Sequence, residues 1–152
     1  GRMKNITFHI AKKSVYDEVA KTTAYTGVKM DDDDKAYSRI FATDADQEML
    51  ERFWNESKNT IAGELKTLLS SEQETNGDYT LTLEVSNSFD DSLRSSMERS
   101  LFSFFVMNIV SKWYVFTNKK EAGAYAESAL NDMEDVARKA FFKKRPTRPT
   151  YD

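Results

Sequence analysis

LFSFFVMNIVSKWYVF, the stretch Leu101–Phe116, decides the fold of this chain. Twelve of its sixteen residues are apolar, six of these are aromatic, and Lys112 carries the only charge. A helix that is apolar on every side must be buried on nearly every side. The stretch therefore predicts a central helix, and the amphipathic segments that flank it in the chain are the elements that can cover it.

The same stretch is not expected to cross a membrane. A membrane span needs about 20 predominantly apolar residues, whereas this stretch is shorter and is interrupted by Asn108, Ser111 and Lys112. The start of the chain leads into only a short apolar alternation, which does not have the pattern of a signal peptide. We therefore expect no membrane partner.

The composition is that of a globular protein with a substantial core. The 152 residues are 39% hydrophobic and include ten Phe, seven Tyr and two Trp, which is more apolar material than disordered chains contain. The 22 basic and 25 acidic residues give a net charge of -3, so the overall charge does not favour nucleic acid or an anionic membrane as a partner. Cysteine is absent, which excludes disulfides, thiolate metal sites and thiol catalysis.

Three segments besides the central stretch show the three- and four-residue apolar spacing of amphipathic helices. The first helix is predicted to begin at Ser14, with Asp17 as the reciprocal carboxylate of a capping box, and to end before Gly27. The second is predicted to begin near Thr43 or Asp44, with Asp46 and Gln47 in its first turn and an apolar stripe that runs from Leu50 to Leu69. The helix that contains the central stretch is the third, and it is predicted to begin at Ser88.

The fourth helix is predicted to begin at Asn118, with Glu121 in the position of a capping-box acid. Its small and apolar residues alternate steps of four and three, which is the a/d pattern of a helix–helix seam. The seam consists of Ala122, Ala126, Ala129, Met133, Val136 and Ala140. Because the link between the third and fourth helices is short, we expect them to be antiparallel neighbours.

Two segments alternate apolar and polar residues with the period of a strand that is buried on one face. The first is Ile6–Ile10, and the clearer one is Tyr79–Val85, which follows the turn signal Asn76–Asp78. Residues 70–78 are predicted to form a loop. A single strand cannot satisfy its own backbone groups, so the partner of the second strand is either the first strand or a strand of another subunit.

Together these patterns predict a mostly α protein with a small β component, namely a four-helix antiparallel bundle around a central hydrophobic helix plus two short strands. We expect a single helical domain over residues 1–142, with strands near 5–10 and 79–86. Residues 143–152 are predicted to form an extended basic tail, since Pro146 and Pro149 keep it out of a helix.

No residue pattern in the chain indicates catalysis, a cofactor or a metal. His9 is the only histidine, so a second histidine for a metal site or a proton relay is missing. Calcium loops space their ligands and include a glycine, so the run Asp31–Asp34 is interpreted as a solvated loop rather than a cation site. No glycine-rich phosphate loop occurs, and no pair of acids lies in an apolar stretch that would raise a pKa. We therefore predict no catalytic, cofactor-binding or metal-binding residues.

The best candidate for a binding site is the basic C-terminal run. Residues 138–148 carry six positive charges and no acid, and part of this charge complements the C-terminus of the fourth helix. The rest lies on a proline-stiffened segment that can reach phosphates or an acidic protein surface. The predicted partner-binding residues are Lys143, Lys144, Arg145 and Arg148. A solvated tail without a partner is the alternative interpretation.

Three segments carry a resemblance to a known group of proteins: Val15–Gly27 (VYDEVAKTTAYTG), Glu51–Glu56 (ERFWNE) and Lys144–Pro146 (KRP). Together they resemble small uncharacterised phage or prophage virion proteins, neck or tail components, of Bacteroides-type bacteria. The resemblance implies a non-enzymatic helical subunit of a ring or tube, whose terminal segments contact neighbouring subunits. It also implies a location in the cytoplasm of a bacterial host or in the virion, and it transfers no site residues.

The first functional hypothesis is therefore a structural or assembly protein, such as a phage-type head–tail connector, neck or tail component. Its partners would be further copies of the same chain or other virion subunits. The second hypothesis is a nucleic-acid-associated accessory protein that acts through the basic C-terminal tail. A small-ligand enzyme is the third, but it would need a polar cluster inside a pocket, and the sequence offers no such cluster.

Overall fold

The computed structural model describes residues 2–24 and 40–142. These residues form four α-helices and three β-strands, so the prediction of a mostly helical fold with a small β component is confirmed. In chain order the elements are β1 (Met3–Ile10), α1 (Lys12–Ala24), α2 (Asp44–Glu64), β2 (Leu69–Thr75), β3 (Asp78–Ser86), a 3₁₀ turn (Asp91–Leu93), α3 (Arg94–Thr117) and α4 (Lys119–Ala140). The predicted tail over residues 143–152 lies outside the described residues.

Helix α3 contains the apolar stretch and is covered along most of its length. No residue from Leu101 to Tyr114 is exposed, because α3 packs against α1, α2, α4 and β1. Aromatic rings make part of this contact, since the ring centroids of Trp54 and Phe105 are 4.8 Å apart. The prediction that this stretch is buried is confirmed as far as residue 114.

Helices α3 and α4 are antiparallel, as the short link between them predicts. Hydrogen bonds join Ser100 to Asp135 and Ser103 to Asp132. Residue numbers therefore increase along α3 in the direction in which they decrease along α4. The predicted a/d seam on α4 is correct at Ala122, Ala129, Val136 and Ala140, which are all buried.

The seam prediction is wrong at Ala126, which is exposed. Tyr125 takes its place in the interface, with its ring centroid 5.4 Å from that of Tyr114 on α3. A tyrosine ring buries far more apolar area than a methyl group, so the orientation of α4 that places Tyr125 inward is the more stable one.

The strands form one antiparallel sheet in the order β1-β3-β2. β1 pairs with β3 along its full length, with Ile6 opposite Leu83 and Phe8 opposite Leu81. These four side chains are buried, because they lie on the sheet face that packs against the helices. Of the two partners expected for the strand at 79–86, the N-terminal strand is therefore the correct one.

The prediction of a loop over residues 70–78 is wrong, because Leu69–Thr75 forms the strand β2. Six of the seven residues of β2 are exposed and polar, so the sequence shows no apolar alternation there. The predicted turn is correct, since Asn76 and Gly77 have φ angles of 55° and 87°, as a type I′ hairpin requires. The described residues therefore contain three strands rather than two, and the second helix ends at Glu64, before the last residues of its predicted apolar stripe.

The start of α2 is correctly predicted, whereas the start of α1 is not. Thr43 and Asp46 form a capping box at α2, with hydrogen bonds of 3.1 and 3.3 Å to each other's backbone N–H. Helix α1 begins at Lys12 rather than Ser14. The backbone N–H of Lys12 donates a 3.1 Å hydrogen bond to a carboxylate oxygen of Asp78 on β3, so a residue distant in sequence stabilises this helix start.

The predicted cap at Ser88 is wrong, whereas Asn118 lies at the predicted N-cap position of α4 but does not cap it with its side chain. Asp90 caps the 3₁₀ turn before α3, since its carboxylate accepts a 3.0 Å hydrogen bond from the backbone N–H of Ser92. Asn118 lies at the junction of α3 and α4, but its side chain makes no capping hydrogen bond. Glu121 therefore does not complete a capping box.

Candidate protein interface

The predicted binding residues fall largely beyond the described part of the chain. Outside it lie the acidic run Asp31–Asp34 and the predicted partner-binding residues Lys143, Lys144, Arg145 and Arg148. Two members of the same basic run are described, and Arg138 and Lys139 both form ion pairs with Asp135, at 2.6 and 2.8 Å. These two cations therefore share a single carboxylate within α4, and the three side chains together keep a net positive charge.

His9 is exposed on the outer face of the sheet, as an isolated histidine on the polar side of a strand should be. Its Nδ1 atom lies 3.0 Å from Oγ1 of Thr80 on β3. Across residues 2–24 and 40–142, no three His, Cys, Asp or Glu side chains come together in a way that could hold a metal ion.

Five charged and aromatic side chains join α1, α2 and the hairpin of β2 and β3, and we call them the hairpin network. Lys12 forms an ion pair with Glu51, and its Nζ atom lies 5.8 Å from the centroid of the Trp54 ring. Lys58 forms an ion pair with Glu74, which also accepts a 3.2 Å hydrogen bond from Nε1 of Trp54. The hydrogen bond from Lys58 is the main reason that the pKa of Glu74 is below its ordinary value.

Tyr79 on β3 lies beside the hairpin network. Its hydroxyl group donates a 2.6 Å hydrogen bond to Oε1 of Glu72, and its ring is buried. Burial, together with the bond to Glu72, raises the pKa of Tyr79 far above its ordinary value. The ionisable groups in this region bind one another, so the arrangement holds the hairpin against the helices and does not poise a group for proton transfer.

The polar contacts between α3 and α4 have a similar structural role. Ser103 donates a hydrogen bond to Asp132, and burial raises the pKa of this carboxyl group. Burial also acts to raise the pKa of Asp135, but hydrogen bonds from Lys139 and Ser100 outweigh it and hold the pKa below its ordinary value. The two aspartates lie on the same helix, and their pKa values are shifted in opposite directions.

Exposed apolar side chains lie at both ends of the α3–α4 pair. Val115 and Phe116, at the junction of the two helices, are 54% and 69% exposed, and we call them the junction end. Phe141 and Phe142, which follow α4, are 53% and 49% exposed, and we call them the distal end. Because α4 has 22 residues and a helix rises 1.5 Å per residue, the two ends are about 33 Å apart.

The sequence did not indicate these two ends as binding surfaces. Phe116 is the last residue of the apolar stretch, and nothing in its neighbours distinguishes it from the buried aromatics before it. The only available signal was position, since Phe116 immediately precedes the predicted helix end and Phe142 immediately precedes the predicted tail. Residues at helix ends have fewer neighbouring elements to cover them.

Comparison of the chain with protein-family models, with curated proteins and with solved structures finds no match. Within the part of the chain that the structure describes, each helix is too short or too polar to cross a membrane. The surface of the chain itself is therefore the source of functional information. Its most distinctive feature is the pair of exposed apolar ends, the junction end and the distal end.

Proposed function

We propose that this chain is a non-enzymatic assembly protein, of the type found in phage head–tail connectors, necks or tails, and that its copies contact one another end to end. The observation that carries the proposal is the pair of exposed apolar ends, Val115–Phe116 and Phe141–Phe142, at opposite ends of two packed helices. The resemblance to virion neck and tail proteins supports the same class of function.

The exposed aromatic rings at the two ends favour contact between copies of the chain. Full burial of a Phe side chain stabilises by about 1.5–3 kcal/mol, so three half-exposed rings offer a few kcal/mol to any contact that covers them. An interface that joins two different patches is heterologous, and repetition of such an interface produces a ring or an open filament. The separation of the two ends therefore favours a ring or tube over a closed dimer.

The body of the subunit would be the four-helix antiparallel bundle that the sequence predicts, with α3 at its centre. Such a body would act as a spacer between the ends, because α3 has no exposed residue from Leu101 to Tyr114 and cannot bend there without opening the core. The hairpin network adds ion pairs that fix the sheet to this body.

The alternative function, nucleic-acid association through Lys143, Lys144, Arg145 and Arg148, stays a prediction. The ion pairs of Arg138 and Lys139 with Asp135 do not bear on it, because the predicted phosphate contacts are those of the four tail residues. Binding to duplex DNA that weakens steeply with salt and is lost when these four residues are changed to Gln would favour this alternative.

The experiment that tests the proposal is the solution mass of the full chain, measured by light scattering over a range of concentrations. We expect the mass to rise with concentration, and we expect either Phe116→Ser or the double variant Phe141→Ser with Phe142→Ser to reduce this rise strongly. Leu130→Ser is the matched control, since Leu130 is 47% exposed on α4 but lies away from both ends.

Electron microscopy of the concentrated protein should show rings or short tubes. A mass equal to one chain at every concentration would contradict the proposal. An assembly that Leu130→Ser disrupts as much as the end variants do would also contradict it, because the contact would then not lie at the ends.

A further inference from the structure

Strand β1 forms one edge of the sheet, beside the first two turns of α3. The backbone carbonyl of Arg2 accepts a 3.1 Å hydrogen bond from Asn87, which places the even-numbered positions of this segment in the ladder with β3. In an antiparallel ladder the backbone N–H and C=O groups of every second residue point away from the paired strand. The backbone N–H and C=O groups of Asn5, Thr7 and His9 therefore face outward, away from β3.

Side chains of α3 reach only two of these outward groups. Nη2 of Arg94 donates to the carbonyl of Thr7 at 3.4 Å, and the N–H of His9 donates to Oε2 of Glu98 at 3.3 Å. Both distances exceed the ordinary value of about 2.9 Å for such bonds. Within the described residues, Arg94 and Glu98 form no ion pair, and the outward groups of Asn5 have no partner.

The β1 edge is only lightly protected against pairing with other chains, by Lys4 and by the two long bonds to Arg94 and Glu98. β1 has eight residues, with no proline and no bulge, and it pairs with β3 in unbroken register. The sheet's register shift lies instead in β2, between Leu69 and Ser71. Open clefts of about 380 and 570 Å³ lie between β1 and α3, next to Thr7 and His9 respectively. A lightly protected edge with free space beside it can act as a template for strand addition.

We propose that two copies of this chain pair through their β1 edges, antiparallel about a two-fold axis, so that their two three-stranded sheets become one continuous sheet of six strands. Strand bonds of ordinary length would replace the two long bonds to α3 side chains and would satisfy the outward groups of Asn5. This contact goes beyond the end-to-end contact and does not depend on it, since the two use different surfaces.

Charge complementarity selects a second copy as the partner. Arg94 and Glu98 lie one helical turn apart on α3, and strand pairing displaces both from the β1 backbone. A two-fold axis near Phe8 places Thr7 opposite the partner's His9 and reverses the direction of the partner's α3. Arg94, which bonds to Thr7, then approaches the partner's Glu98, and the reverse pair forms as well. Two ion pairs between desolvated charges would then accompany the strand bonds.

The proline-containing tail is a poorer occupant of the same edge. Pro146 and Pro149 are three positions apart, and strand residues alternate with a period of two. One of the two prolines must therefore face β1 without an N–H group to donate. The sequence of β1 itself contains no proline, so a second β1 is the better match.

Cross-linking tests the pairing directly, because the chain contains no cysteine of its own. Thr7→Cys lies near the middle of β1, so any two-fold register centred within one residue of it brings the two thiols within about two residues of strand rise, or 7 Å. A bifunctional maleimide of about 10 Å span should then link two copies efficiently. Gln73→Cys, on the opposite sheet edge, is the matched control and should cross-link at least tenfold more slowly.

Backbone donors are tested with a second pair of variants. Thr7→Pro removes an outward N–H without touching the ladder to β3, whereas Thr7→Ala keeps that N–H and removes the same side-chain hydroxyl group. In sedimentation velocity on chains that also carry Phe116→Ser, which suppresses the end contact, Thr7→Pro should weaken dimer formation at least tenfold and Thr7→Ala should not.

Charge reversal provides a test that does not alter the strand. Arg94→Glu or Glu98→Arg alone should weaken the dimer by creating like-charge neighbours, and the double variant should restore it. Equal cross-linking at Thr7→Cys and Gln73→Cys, or equal dimer formation by the Pro and Ala variants, would overturn the proposal. A double charge reversal that fails to restore the dimer would overturn the two-fold arrangement of α3.

Discussion

The middle of α3 and the two ends of the α3–α4 pair contain the same kind of residue in opposite surroundings. Phe104 and Phe105 are 1% and 0% exposed, whereas Phe116 and Phe141 are 69% and 53% exposed. The middle is covered by α1, α2, α4 and β1, while the ends project beyond these elements. Aromatic content therefore has two separate roles in this chain, one in the stability of the core and one at the surface.

Because the middle of α3 and the two ends differ in burial, substitutions in them should affect folding and assembly separately. A substitution in the middle of α3 should lower the free energy of unfolding, because it leaves a cavity among packed rings. A substitution at an end removes only solvated surface, so it should leave that free energy unchanged and alter the contacts between copies.

The largest effect is expected in the core. Phe105→Ala should lower the free energy of unfolding by about 3–5 kcal/mol, because the ring of Phe105 contacts the rings of Trp54 and Phe104. Phe116→Ala is the matched control, and a substitution of an exposed residue should change this free energy by less than about 0.5 kcal/mol. Urea unfolding followed by circular dichroism measures both. Similar losses of unfolding free energy in the two variants would contradict the distinction between the buried middle of α3 and its exposed end.

An intermediate effect is expected where a polar pair crosses the core. Ser57 on α2 is fully buried and accepts a 2.8 Å hydrogen bond from Nδ2 of Asn108 on α3. Ser57→Ala leaves that donor without its acceptor, so the free energy of unfolding should fall by about 1–3 kcal/mol. Thr60→Ala removes a comparable helix-internal hydroxyl bond on an exposed face and should have little effect. Equal effects in urea titrations of the two variants would show that the buried pair is not what stabilises this contact.

A smaller effect, with a size that depends on pH and a sign that differs between the two residues, is expected at the two aspartates of α4. The pKa of Asp135 is lowered in the folded chain, so its contribution to stability is present at neutral pH and is lost as the pH falls through the folded pKa. The ion pairs that it makes are partly exposed, so Asp135→Asn should cost less than about 1 kcal/mol at pH 7, and this cost should shrink as the pH falls through the folded pKa.

Asp132 should behave in the opposite way. Burial raises its pKa in the folded chain, so the folded state binds this proton more tightly than the unfolded state and gains stability as the pH falls from neutral. Asp132→Asn should therefore be slightly more stable than the natural chain at pH 7, and this advantage should disappear in acid. The differences between the denaturation midpoint of each variant and that of the natural chain should move in opposite directions between pH 7 and pH 3, and parallel movement would contradict these assignments.

Much of the fold could be predicted from local signals in the sequence. The capping box of Thr43 and Asp46, the alternation of β3 and the positive-φ turn at Asn76–Gly77 all depend on residues a few positions apart, and all three are present. Burial of the apolar stretch also followed from its composition alone, since no other environment is stable for such a helix in water.

The errors arose where distant residues decide local structure. β2 has almost no apolar residue of its own and exists because β3 supplies its hydrogen bonds. Helix α1 begins early because Asp78 reaches its first N–H from the hairpin. The exposed ends could not be predicted for the same reason, since the exposure of Phe116 depends on where the covering elements stop and not on the residue itself.

The measurement that tests the central claim most directly is a mixing experiment followed by native mass spectrometry. One chain carries Phe116→Ser and keeps only its distal end, and the other carries Phe141→Ser with Phe142→Ser and keeps only its junction end. Both also carry Thr7→Pro, so that the β1 edge does not contribute. We predict that each chain alone is monomeric and that the mixture forms a one-to-one complex. Dimers of either chain alone, or a mixture that contains only monomers, would contradict end-to-end assembly.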